Sequence, residues 1–358
     1  MAGIKDVARK AGVSIATVSH VINQTKYVSP ELKTKVEIAV KELEYEANPV
    51  ARSMKNKRTK MIGVITADIC GMFYPYIMKE IYAVAEAKGY RIIICDTQGV
   101  YGAISAIERE EACFRQLVQM QVDGIIFTSI MPSEREERFM RDVQKMANQN
   151  KKIHLLAIER NFCHYGIDSV YFDGEGGARQ AVSHLLECGC KKIAHITGPR
   201  FMSIAEERVM GYTKTIEAIH GKVDLDLIID GDYTHQSGYM AMKKLLGRAP
   251  DIDGVFSAND QMAVGALLAL KEEKIKVPEE VKIIGYDDVF LTSVVEPSLS
   301  SMHVRKHHAG RTAAEILIQR IEGEPFDEEV IGIEMETRLM ARKSSVLNAP
   351  EDWILTEW

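Results

Sequence analysis

The chain has 358 residues, too long for one ordinary hydrophobic core, so two or more domains are expected. With 46% hydrophobic and 27% charged residues it has a globular profile. No apolar run approaches membrane-spanning length, and the N-terminus lacks the apolar core of a signal peptide. The net charge of −6 hides an asymmetry: residues 1–60 carry twelve Lys and Arg against six Asp and Glu, leaving 33 against 45 for the rest. A basic head followed by an acidic body suits a protein whose head alone meets a polyanion; the plainer alternative is a solvated basic face. Six scattered cysteines, none in a CxxC pair, point to reduced thiols in a cytoplasmic protein.

In chain order, Ile4 to Ala11 reads as a short helix with Val7, Ala8 and Ala11 on one stripe. Gly12 allows a tight turn, and Ser14 is a good cap for a second helix running to Asn23. On a wheel of about 100° per residue, Ile15, Ala16, Ser19, His20 and Asn23 share one face, while Val18, Val21 and Ile22 point the other way. That small, polar outer face can enter a major groove, hydrogen-bond to base edges and touch a thymine methyl. Ser29-Pro30-Glu31 is a second start signal, and Leu32, Val36, Ala39, Val40 and Leu43 supply a third helix. Asn48-Pro49 restarts a helix over Val50 to Lys55, before a basic linker. A helix this short should form only against a partner. One such head covers one half-site, so two heads held together are expected.

The segments IKDVARKAGVSIATVSHVIN, YVSPELKTKV and NPVARSMKNKRTKMIGVI resemble the lactose-repressor (LacI/GalR) family of bacterial transcription regulators. The resemblance implies a homodimer on palindromic, double-stranded operator DNA. It implies a reading head that includes Ser14, Ile15, Ala16, Thr17, Ser19, His20 and Asn23. It also implies paired hinge helices in the minor groove, with Met54 as the wedge where the family has Leu. Arg52 and Lys55 would meet phosphates.

From Met61 onward strands alternate with amphipathic helices, which means parallel sheets covered on both faces. Strands are expected at Met61–Thr66, Tyr90–Asp96, Gly124–Thr128, Ile153–Ile158, Val170–Phe172, Lys192–Thr197, Leu227–Asp230, Gly254–Ala258 and Val281–Tyr286. Helices are expected over Tyr76–Lys88, Ala106–Met120, Gly177–Cys188 and Gln261–Lys274, among others. The fold class is thus an all-α helix-turn-helix head plus an α/β body. By the resemblance, that body is two-lobed and periplasmic-binding-protein-like, with parallel sheets and three crossovers. The expected divisions are a head at 1–47, a hinge and linker at 48–60, a body at 61–341 and a tail at 342–358. Within the body, lobe one takes 61–160 and 290–324, and lobe two takes 161–289 and 325–341.

Ligands of open α/β sheets sit beyond the C-terminal strand ends. Residues after strands are therefore the candidates: Phe73 and Tyr74, Glu159 and Arg160, and Asn259, with Asp260 read as a helix cap. Arg208 and Asp287 match effector-contacting positions of the family. Such a set suits a small-molecule effector, a sugar or sugar derivative, with a purine corepressor as the alternative. Two departures from the family stand out: a longer segment at 99–106, and Ser300-Ser301 where the family has Thr-Thr. His303, His307 and His308 lie close in sequence without Cys or paired acids, so no metal is expected; no cofactor is implied either. No nucleophile elbow or phosphate loop appears, which argues against an enzyme. A sugar-transport component would explain the body but leaves residues 1–60 without a purpose. The tail shows no apolar heptad, so no tetramer-forming coil is expected.

Overall fold

A computed structural model describes residues 2–23, 26–45, 58–99, 103–149, 152–324, 326 and 329–349. The expected hinge helix, with Arg52, Met54 and Lys55, lies outside the described residues. The chain forms two units, Met1–Lys60 and Met61–Trp358.

Among its described residues the first unit holds three helices: α1 (Ile4–Ala11), α2 (Ile15–Asn23) and α3 (Pro30–Glu42). Gly12 ends α1 in the left-handed region at φ 65°, which a side-chain-free residue tolerates. Ser14 caps α2, its Oγ accepting from the Thr17 amide at 3.0 Å. Ser29 stands before α3, but its hydroxyl makes no cap bond; the helix starts instead on Pro30 and on a Glu31–Lys35 ion pair of 2.7 Å. Val7, Ala8, Val18, Val36 and Ala39 are the buried core, flanked by Val21, Ile22, Val40 and Leu43. So small a core leaves little margin of stability.

The second unit contains twelve strands in two six-stranded sheets. The first sheet has β1 (Met61–Thr66), β2 (Arg91–Asp96), β3 (Gly124–Phe127), β4 (His154–Glu159), β5 (Asp168–Phe172) and β11 (Gly332–Met335), in the order β11-β5-β4-β3-β1-β2. The second has β6 (Ile193–Thr197), β7 (Ile228–Asp230), β8 (Gly254–Ser257), β9 (Lys282–Asp287), β10 (Ser300–Val304) and β12 (Thr337–Met340), in the order β12-β10-β9-β8-β6-β7. Every pair is parallel except β10 with β12. The helices of the first lobe are α4 (Tyr74–Ala87), α5 (Ala103–Gln119), α6 (Ser133–Ala147) and α12 (Lys306–Glu322). Those of the second are α7 (Gly174–Glu187), α8 (Ser203–His220), α9 (His235–Arg248), α10 (Asp260–Glu272) and the short α11 (Leu291–Val294).

This corrects the expected lobe boundaries. Strand β5 extends the first sheet beyond residue 160, and β10 belongs to the second sheet rather than the first. Strand β11 returns to the first lobe, one residue before β12 joins the second. The crossovers therefore fall after β5, after β10 and between β11 and β12. A strand's own residues do not reveal which sheet completes its hydrogen bonds, so the pattern alone misplaced these three. Strands β10, β11 and β12 were not foreseen as strands at all. The segment 342–349 is also no tail: Arg342, Ser344 and Ser345 are buried, and Ser344 accepts from Ile283 and donates to Ser298 through its backbone. Among the described residues no helix is long and apolar enough to cross a membrane.

Candidate functional site

Between the lobes lies a cleft with an empty volume of about 720 Å³, open to solvent at one side. Its walls are the C-terminal ends of strands from both sheets, where parallel strands leave their last side chains free. Phe73, Tyr74, Glu159 and Asn259, named for their places after strands, line it, together with Arg208 and Asp287, which the family resemblance had implied.

Glu159 ends β4 with φ 77°, and Asp287 ends β9 with φ 97°. These two strands hold the same place in their respective sheets, so the lobes present matching acids across the cleft. A non-glycine residue rarely holds positive φ, and such strain concentrates at functional sites. The Glu159 carboxylate accepts from Tyr74 Oη at 2.7 Å. Burial pushes the Glu159 carboxyl up to about 7, against the pull of Tyr74 and Arg208. Asp287 is pushed up to about 6 by burial, with Arg208 opposing. Arg208 is buried; its Nη2 lies 3.5 Å from Asp287 Oδ1, its Nη1 donates to the Ala258 carbonyl, and its plane sits 3.8 Å over the Tyr286 ring. Arg208 Nε and Tyr233 Oη are buried without a protein partner. Both can serve a ligand. Phe73 meets Tyr74 edge-on at 5.2 Å and Phe172 at 6.2 Å, which stiffens an aromatic wall.

One cleft residue needs correction. Arg160 is not in the cleft. It follows Glu159 immediately, and along a strand successive side chains point to opposite faces. Its guanidinium turns into lobe one, bonded to the Met131 carbonyl at 3.1 Å, paired with Glu136 and stacked 4.8 Å over Phe162. The helix cap is Asn259 rather than Asp260, although Asn259 also lines the cleft. Asn259 caps α10 by accepting from the Met262 amide at 2.9 Å and donating to the Tyr233 carbonyl at 2.9 Å. Asp260, the expected cap, buries its carboxylate against Ser301 Oγ at 2.6 Å and the Val289 amide at 2.8 Å. Burial and neighbouring Asp287 raise its pKa well above the ordinary range.

Sequence reasoning missed Asp68, Met72, Met202, Ile204, Tyr233, Gln261 and Val289, which also line the cleft. Asp68 and Tyr233 follow β1 and β7, so the strand-end rule applied to every strand would have found them. Met202 and Ile204 enter with the start of α8, and no local pattern announces them. The three histidines do not converge: His303 faces Asp288 at 2.9 Å, His307 faces Glu80 at 3.4 Å, and His308 is exposed. Among the described residues no group of three His, Cys, Asp or Glu could hold a metal ion.

In the head, Ser14, Ile15 and Ala16 are exposed, and Thr17, Ser19 and His20 are half-buried. Ile15 is 45% exposed, an apolar side chain left in solvent on the face expected to read DNA. Asn23 closes the same helix.

Comparison with known proteins gives matching results for both units. Residues 3–48 match the model for bacterial regulatory proteins of the lacI family, and residues 182–345 match a periplasmic binding protein-like domain. The ribose operon repressor of Halalkalibacterium halodurans is 33% identical over 346 residues, covering 96% of this chain and 97% of that protein. The HTH-type transcriptional repressor PurR of Vibrio atlanticus is 32% identical over 344 residues, covering 96% and 98%. Among solved structures, the Lac repressor dimer bound to operator and the anti-inducer ONPF superposes with a TM-score of 0.83 at 26% identity, covering 96% of this chain and 99% of that one. The complex of the regulator CelR with cellobiose gives 0.68 at 30% identity, covering 96% and 100%.

Proposed function

The chain belongs to the lacI family of bacterial regulatory proteins, and from that premise we propose that its interlobe cleft takes a neutral sugar as inducer. It is a ligand-responsive, DNA-binding transcriptional repressor and not an enzyme. Its partners are operator DNA, a second copy of the chain and a small-molecule effector. It works in the cytoplasm, where its operator is.

The observation that carries the sugar reading is the pair of acids, Glu159 and Asp287, facing one arginine from opposite lobes. Hydroxyls can donate to both carboxylates and accept from Arg208 Nε and Tyr233 Oη, while a ring face lies on Phe73 or Tyr74. Two acids against one cation oppose a phosphorylated ligand. Relatives named for a ribose operon and solved neighbours holding cellobiose and D-xylulofuranose support the same class. The PurR relatives favour a second reading, a purine corepressor. Calorimetry of the full chain with neutral pentoses and hexoses, sugar phosphates and purine bases separates the two. Binding confined to purines or phosphates overturns the sugar reading.

In the head, we assign Ser14, Ile15, Ala16, Thr17, Ser19, His20 and Asn23 to the major groove, and Arg52, Met54 and Lys55 to the hinge contact with the minor groove. Footprinting on DNA flanking the protein's own gene should reveal a palindrome, whose protection an inducing sugar weakens. Replacing Met54 by Ala should weaken operator binding and leave effector affinity unchanged.

A further inference from the structure

The residue that opens α12, Lys306, is 1% exposed, and burying an ammonium is costly unless it is hydrogen-bonded. Helix α12 packs on α4 and beneath β3 and β4, so this lysine belongs to lobe one, just past the crossover that follows β10. Its Nζ nevertheless reaches into lobe two. It donates to the Asp287 carbonyl at 3.0 Å and to the Asp288 carbonyl at 2.9 Å. On its own side the ammonium stands 5.6 Å from the centre of the Tyr76 ring of α4.

The two carbonyls it holds are unusual ones. Asp287 and Asp288 have φ of 97° and 51°, two successive non-glycine residues in the left-handed half of conformational space. Such a turn persists only when its surroundings over-determine it. Lobe two supplies part of that hold. The Asp288 carboxylate takes bonds from Arg342 at 2.7 Å, Thr292 at 3.0 Å and His303 at 2.9 Å, and the Asp288 amide donates to Ser301 Oγ at 3.0 Å. Those bonds fix the side chain and amide of Asp288 but leave both carbonyls to Lys306. The turn they shape is what aims the Asp287 carboxylate at Arg208.

We propose that Lys306 is a positioning residue for effector recognition: an ammonium rooted in lobe one holds the left-handed Asp287–Asp288 turn of lobe two, so that Asp287 faces the cleft. The lysine lies at a crossover, so rotation of one lobe against the other displaces it relative to the carbonyls it holds. The aim of the acid is thereby tied to the angle between the lobes. This rests on the cleft being the effector site.

The test is made without any ligand, so its outcome is independent of which sugar or purine binds. Carboxyl-carbon NMR of the full chain follows the Asp287 titration, assigned by its absence in Asp287→Asn. Asp287 is faced by Arg208 and Lys306, with Glu159, Asp260, Tyr74 and Tyr233 also near, and burial pushes its carboxyl up to about 6. In Lys306→Met the midpoint should rise by about one unit, a tenfold change in proton affinity. Lys306→Arg, which keeps charge and donors, should restore it. If Lys306→Met does not fold, Lys306→Gln carries the same expectation. Loss of the ammonium's charge alone also raises the midpoint, so the deciding readout is the crystal structure of Lys306→Met, in which the Asp287–Asp288 turn should leave the left-handed region and Asp287 should turn away from Arg208. An unmoved midpoint, or a raised midpoint with the turn intact, overturns the proposal.

Discussion

At the cleft, Glu159, Asp260 and Asp287 are held above their ordinary range by burial, and Asp288 nearby is held below it. Glu159 lies at about 7 against an ordinary 4.5, and Asp287 at about 6 against 3.8. The folded chain therefore binds these protons more tightly than the unfolded chain does. Stability from this source is present at low pH and is lost as pH rises through the window between about 4 and 7. Asp288 runs the other way. His303 and Arg342 overcome the cost of its burial and hold it at about 2 against 3.8, so its contribution is present above 3.8 and is lost as pH falls toward 2. Replacing Glu159 by Gln should thus stabilise the ligand-free protein by ~2 kcal/mol at pH 8 and leave it unchanged near pH 4. Urea unfolding across that range measures it; a gain equal at all pH values would dismiss the assignment. The same substitution should weaken sugar binding at least tenfold, since a ligand hydroxyl loses an ionised acceptor. These roles were only partly legible in the sequence. Glu159 and Arg160 are adjacent polar residues after one strand, and only the twist of the chain at φ 77° decides which of them reaches the cleft. Asn259 and Asp260 are both competent caps, and the choice was made by Ser301 and Val289, some thirty to forty residues away.

At the scale of elements, helix starts were misjudged by two or three residues: Tyr74 rather than Tyr76, Ala103 rather than Ala106, and Gly174 rather than Gly177. The reason is visible in α7. Glycines 174 and 176 fall before the expected start at Gly177, yet all three are helical and buried, and Tyr286 lies where a side chain on Gly177 would stand. Glycine plays the same part where α9 crosses α10. A Cβ on Gly265 would collide with the His235 carbonyl and the Tyr239 amide, backbone atoms that cannot step aside. Gly265→Ala should therefore cost about 1–3 kcal/mol, read as a lower urea midpoint. No effect would mean that the helices separate freely. In the head, Ser14→Ala removes the cap of α2 and should cost about 1 kcal/mol, a large share of what so small a core can supply. Thermal melting of the full chain should show an earlier first transition.

For the body as a whole, besides the two Lys306 bonds, two more polar contacts join the lobes. The Met72 amide donates to Gln261 Oε1 at 3.3 Å, and the hydroxyls of Ser133 and Ser203 lie 3.1 Å apart. Ala67, Ala106 and Ile130 of one lobe pack with Met202 and Ala205 of the other. Removing both polar contacts, as Gln261→Ala with Ser203→Ala, loses about 0.5–1.5 kcal/mol for each and should lower effector affinity roughly tenfold. Small-angle scattering should show a larger radius without ligand; an unchanged radius would place the closing force elsewhere. Much of this molecule follows from local rules. The three-helix head, its outward polar face, the alternating strands and helices, and the cleft residues Phe73, Tyr74, Glu159 and Asn259 each rest on the period, capping or strand-end position of nearby residues; Arg208 and Asp287 came from the family resemblance. What local rules could not settle was how distant segments are shared between lobes: the sheet that β5, β10 and β11 join, and the burial of residues 342–349. Nor could they show Lys306 reaching from one lobe to carbonyls of the other. Those outcomes depend on hydrogen bonds and packing between residues tens to hundreds of positions apart, and no short stretch of sequence carries that information.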